Sequence, residues 1–119
     1  MTIQECYTAL GGNYEEVLGR FRTEERILKF MGLFLKDDSF SNLTKALEQN
    51  NLEEAFRAAH TLKGISSNLS FTRLYRSSHG LTELLRAKTP SPEIPALFAE
   101  VKKDYEITAG AIRSALQPN

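Results

Sequence analysis

The run from Ala58 to Ser70 reads Ala-Ala-His-Thr-Leu-Lys-Gly-Ile-Ser-Ser-Asn-Leu-Ser, and it holds the chain's best candidate chemistry. His60, Lys63 and Gly64 fall at i, i+3 and i+4, so on a helix they share one face. That face turns partly away from the apolar stripe of Phe56, Ala59, Leu62 and Leu69. An imidazole nitrogen is a nucleophile near neutral pH because much of it is unprotonated there. A lysine one turn on supplies a point charge for anionic oxygens. Glycine inside a helix costs about 1 kcal/mol relative to alanine, so something must offset it. Room for another molecule to approach His60 would do so. Taken singly, each residue has a plainer reading: an idle helix histidine, a solvated lysine, a glycine packed between helices. The three together at this spacing favour a nucleophilic site.

The run His60-Thr-Leu62-Lys63-Gly64, followed by Leu69, resembles the signature of histidine phosphotransfer (HPt) domains, written H-x-L-K-G-x-x-x-x-L-G. Ser70 stands where that pattern has its second glycine. Leu74, Leu81 and Leu84-Leu85-Arg86 resemble the family's next helix, with Arg86 where a basic residue near the phosphoryl site is common. Thr82 takes the position that is often Glu or Gln. The likeness extends from about Leu28 to Leu116, although only His60 to Leu69 is specific.

The resemblance implies a phosphocarrier, not an enzyme with ATPase or kinase activity of its own. His60 would take a phosphoryl group from the aspartyl phosphate of a receiver domain and return it to another. Lys63, and with it Arg86, would hold the transferred oxygens, and Gly64 would leave steric access. Partners would be response-regulator receiver domains or a hybrid histidine kinase in bacterial-type two-component signalling. No cofactor is expected on this chain; Mg²⁺ would belong to the receiver. Two other readings compete: a helical adaptor using the same face without chemistry, and the phosphoacceptor segment of a histidine kinase. The last fits poorly, because an acidic residue usually follows the histidine there and Thr61 follows it here.

The elements that must position this face read as helices throughout. Strand signals are poor, and Gly and Pro fall between long periodic segments. Thr2 to Leu10 is a short amphipathic piece stopped by Gly11 and Gly12. Asn13 with Glu16 forms a capping-box pattern for a helix ending near Gly19. Thr23 caps the next, with Ile27, Phe30, Met31, Phe34 and Leu35 on its buried face. Ser39 or Ser41 begins another. Asn51 with Glu54 repeats the capping box, and a stripe follows through Leu52, Ala55, Phe56, Ala59, Leu62, Ile65 or Ser66, and Leu69. Thr72 is expected to cap a segment with Leu74, Ser78, Leu81, Leu84 and Leu85. Three prolines between Lys88 and Pro95 mark a linker, and Leu97 to Leu116 reads as a last long helix. The expected fold is all-α, an antiparallel up-down four-helix bundle with short additional N-terminal helices, in one domain over residues 1–119.

Bulk composition bounds the function from outside. Lys plus Arg equals Asp plus Glu at 15 each, which argues against nucleic-acid binding and against a polybasic membrane anchor. No signal-peptide pattern or spanning segment stands out, so a cytoplasmic, soluble monomer is expected. Neutral charge suggests docking through an apolar patch around His60 with a polar rim. The chain could be a free-standing carrier or a piece of a hybrid kinase. Cys6 has no cysteine partner and no basic neighbour to activate it. His79 reads as a surface or interhelix histidine. Phe21, Phe30, Phe34, Phe40 and Phe56 read as core, and Phe71 reads as either core or docking patch.

Overall fold

The computed structural model describes residues 1–117. Among them run seven helices: α1 (Ile3–Leu10), α2 (Tyr14–Phe21), α3 (Glu24–Lys36), α4 (Ser39–Glu48), α5 (Leu52–Asn68), α6 (Thr72–Leu85) and α7 (Ile94–Leu116). No strand occurs among the described residues, and the chain is an all-α bundle.

Caps set most of the boundaries. The Thr2 hydroxyl accepts from the Glu5 N–H while the Glu5 carboxylate accepts from the Thr2 N–H, a complete capping box. Asn13, Thr23 and Asn51 each accept from the N–H three residues on. The boxes expected at Asn13 and Asn51 are only half formed, because their acids are engaged elsewhere: Glu16 with Ser70 and Arg20, Glu54 with Arg57. Two boundaries differ from expectation. The helix expected to end near Gly19 runs to Phe21, whose ring packs on Phe30. Thr72 lies inside the first turn of α6, and Phe71 holds the cap position because burial of its ring fixes the turn.

Helix ends repeat one device. After α1, α4 and α5 a residue enters the left-handed region, Gly11 (φ 74°), Asn50 (φ 54°) and Ser70 (φ 56°). In each case two backward N–H bonds close the turn, as in Gly12 N–H to Tyr7 C=O, Asn51 to Ala46 and Phe71 to Ser66. Glycine and asparagine suit that conformation; serine suits it less.

Packing follows from the apolar faces. α5 packs against both α4 and α6, α6 packs against α7, and α1 and α3 pack against the other side of α7. Phe40 of α4 stacks on Tyr105 and Phe98 of α7. Phe34 of α3 reaches the same Tyr105 and also Phe71. The bundle helix preceding α5 is therefore two pieces, α3 and α4, parted at Asp37 and Asp38. The 23 residues of α7 give it about 35 Å, consistent with a longest molecular dimension of 45 Å. Tyr7, Leu10, Val17, Ile27, Met31, Leu43, Leu62, Phe71, Leu74, Leu81, Leu85, Val101 and Ile112 are all fully buried. No helix among the described residues is long and apolar enough to cross a membrane.

The N-terminal helices fasten the turn between α5 and α6. The buried Tyr7 hydroxyl donates to the Leu69 carbonyl at 2.8 Å, and the Asn13 N–H to the Ser70 carbonyl at 2.9 Å. The Arg20 guanidinium donates to the Asn68 carbonyl at 2.6 Å and to Ser70 Oγ at 3.0 Å. Ser70 Oγ in turn donates to the Glu16 carboxylate at 2.6 Å. Gly12 is required by this approach, since a Cβ there would lie 2.6 Å from the Ser70 carbonyl oxygen.

Candidate functional site

α5 places its chemistry by elimination. Ala55, Ala58, Ala59, Leu62 and Ser66 are buried along its inner face, which decides between Ile65 and Ser66: the serine faces inward and the isoleucine is half-buried. The 100° periodicity then turns His60, Thr61 and Gly64 outward, all exposed, with Lys63 half-buried beside them. His60, Lys63 and Gly64 thus share one surface patch near the middle of a helix held on two sides.

Gly64 has open space around it: a Cβ built there meets nothing within 4 Å. The glycine is therefore no packing contact between helices of this molecule. Its local cost leaves only the outward side to account for it.

Phe56 precedes His60 by four residues and lies beside it, with ring centroids 5.9 Å apart. It is half-buried at the α5–α6 seam, packed against the core. Two cations reach its ring from the end of α6. The Arg86 guanidinium and the Lys88 ammonium each lie 5.3 Å from its centroid, within the range of cation–π attraction. Arg86 also donates to the Glu83 carboxylate at 2.7 Å. That bond holds the Glu83 carboxyl below the ordinary carboxylate range, helped by the charges of Arg86, His79 and Lys63. The surroundings of His60 are thus one aromatic ring, three cations and one acid. This is a more polar and more basic patch than the apolar one suggested by neutral overall charge.

Other expected residues lie apart from this patch. Thr82 is fully buried and its hydroxyl donates to the Ser78 carbonyl at 2.6 Å, so it serves the α6 interior and not the imidazole. His79 is half-buried, stacked on Tyr75, with Nδ1 buried and without a hydrogen-bond partner. Phe71 is core, in contact with Tyr7 and Phe34. Among the described residues no group of three or more His, Cys, Asp or Glu could hold a metal ion.

Lys88 is the residue that sequence reasoning missed. It reads as the first residue of a linker, and only its left-handed backbone (φ 56°) swings the side chain back over Phe56. Phe56 was legible as a neighbour of His60, being four residues before it, but read simply as core.

The family model described as the Hpt domain matches residues 36–115, 80 residues of the 119. The chain belongs to the Hpt domain family. No curated protein and no solved structure gives a significant match. The Hpt match takes in α4 to α7 and the whole His60 patch, while the helices that fasten the Ser70 turn precede it. Hpt domains are histidine phosphocarriers of phosphorelays, not kinases, and the helical bundle found here is the fold of that family.

Proposed function

We propose that this Hpt domain carries a phosphoryl group on His60 between aspartates of partner receiver domains. The observation that supports it best is an exposed imidazole beside an open strip at Gly64, with Lys63 in the same patch. The largest concavity, about 530 Å³ between α4 and α5, takes in Arg57 and Thr61 but not His60. A group that projects from a convex surface suits a protein partner that brings its own pocket, not a small substrate that needs one.

In the forward step the solvent-facing imidazole nitrogen attacks the phosphorus of an aspartyl phosphate. The P–O bond to the aspartate breaks, that carboxylate leaves with the electron pair, and an N–P bond forms. In the return step a second receiver's carboxylate oxygen attacks the same phosphorus and the imidazole leaves. Charge on the phosphoryl oxygens is met on this side by Lys63, with Arg86 within reach once it exchanges Glu83 for phosphate. The Arg86–Glu83 pair is half-exposed, so that exchange costs little. Mg²⁺ would be supplied by the receiver. The carrier acts as a monomer in the cytoplasm, since docking needs the α5 face uncovered.

The test is incubation with a receiver domain labelled on its aspartyl phosphate. Label that moves to this chain, survives alkali, is lost in acid and is absent from His60→Gln supports the proposal. Lys63→Ala should slow the transfer without abolishing it. Failure to take label from several receivers would leave a docking adaptor as the better reading.

A further inference from the structure

We infer that Phe56 is a positioning residue that gathers Arg86 and Lys88 beside His60, and that Lys88 is a phosphoryl-binding cation of the site. The inference rests on the phosphocarrier reading above and names residues that reading does not use.

The argument begins with the backbone of Lys88. It closes the end of α6, its N–H donating to the Leu85 carbonyl at 2.9 Å, with φ at 56°. Glycine or asparagine would hold that conformation with less strain. A lysine there is locally unfavourable, and its side chain is the part that glycine could not supply. That side chain ends 5.3 Å from the centre of the Phe56 ring and makes no ion pair among the described residues.

The second observation is that one ring collects two like charges. Arg86 and Lys88, each 5.3 Å from the same centroid, are at most about 11 Å apart. Their mutual repulsion is relieved at Arg86 by Glu83, but Lys88 has no such partner. The aromatic face is what holds them both. The same ring lies 5.9 Å from the imidazole. Phe56 thus fixes the separation between the acceptor and two cations on another element. A phosphoryl group on His60, bearing up to two negative charges, would meet Lys63 from its own helix and this pair from across the seam. Leucine in place of Phe56 would keep the apolar packing and lose the attraction for cations; tyrosine would keep both.

Phosphoramidate, a small phosphoryl donor, tests this without a partner protein. It delivers its phosphoryl group to the imidazole with loss of ammonia, and the N–P product is followed by phosphorus NMR. Loading of full-length Lys88→Gly should slow roughly two- to fivefold, the size of an exposed ionic contact. Its melting temperature should be unchanged or raised, because glycine relaxes the turn. Phe56→Leu should slow loading at least as much, Phe56→Tyr should load at the wild-type rate, and Lys88→Gly added to Phe56→Leu should slow it no further. A wild-type rate for Lys88→Gly, or equal slowing by Phe56→Leu and Phe56→Tyr, would overturn the inference while leaving His60 as acceptor. A wild-type chain that takes no phosphoryl group at all would overturn the phosphocarrier reading and this one with it.

Discussion

Ser70 offers the sharpest test of the energetics, because two effects of similar size oppose each other there. A serine in the left-handed region costs about 1 kcal/mol or more relative to a relaxed backbone. Against this, its hydroxyl donates to the Glu16 carboxylate at 2.6 Å and accepts from Arg20 at 3.0 Å. A hydrogen bond to a charged group is worth about 1.5–3 kcal/mol when sheltered. Glu16 and Arg20 are 52% and 39% exposed, so a figure near 1.5 kcal/mol is appropriate here. Ser70→Ala loses the bonds and keeps the strain, for a cost of about 1.5 kcal/mol. Ser70→Gly loses the same bonds and regains about 0.5 kcal/mol, the strain relieved less glycine's greater freedom in the unfolded chain. The expected order of stability is therefore wild type, then glycine, then alanine. Urea unfolding, with a slope near 1.5 kcal/mol per molar, would place the alanine midpoint about 1 M below wild type. Glu16→Gln should weaken the wild type but have little further effect in Ser70→Ala, since the two share one interaction. A Ser70→Gly variant more stable than wild type, or a Glu16→Gln effect that is the same in both backgrounds, would show that the hydroxyl bonds contribute nothing and the reasoning is wrong.

Three further outcomes can be checked. Gly64→Ala should raise helix stability by about 0.5–1 kcal/mol in thermal unfolding, as its Cβ meets nothing, whereas Gly64→Leu should stay folded and lose phosphoryl exchange with receivers. Tyr7→Phe should cost about 1–3 kcal/mol by denaturant titration, because the Leu69 carbonyl is left buried without its donor. Burial pushes the Cys6 thiol from about 9 up to about 11 and raises the Tyr7 phenol as well. Since the folded values are the higher ones, unfolding releases protons on the alkaline side. Stability should be fully present below about pH 9 and decline as pH rises through about 11, less steeply in Cys6→Ala, as read by urea midpoints across that range.

Much of this arrangement could be read before the coordinates. Period and caps were enough for seven helical segments, because Asn13, Thr23 and Asn51 cap by local hydrogen bonds that depend only on the next three residues. The outward turn of His60 and Gly64 also follows from the spacing of Ala55, Ala59 and Leu62. What escaped depends on partners far along the chain. Glu16 pairs with a hydroxyl 54 residues away, so its capping box is incomplete. Phe71 displaces Thr72 from the cap because its ring is drawn between Tyr7 and Phe34. Lys88 escaped for a third reason: a positive φ at a non-glycine residue has no sequence signal, and without it the side chain points elsewhere.

The fastening of the Ser70 turn by the first two helices bears on how this module could be cut and grafted. The carbonyls of Asn68, Leu69 and Ser70 find their donors in Arg20, Tyr7 and Asn13, and the Arg73 N–H finds its acceptor in Gly11. All of these partners lie before residue 36, where similarity to the family begins. The unit that is shared by descent and the unit that folds cooperatively therefore have different edges. An excised segment 36–115 would carry every residue of the His60 patch, yet it would uncover Phe71 and leave the last turn of the phosphoacceptor helix to fray. Amide exchange in Asn68 to Arg73 should then track the opening of residues 3–21, so that a chimera built on this protein has to move that N-terminal segment along with its bundle.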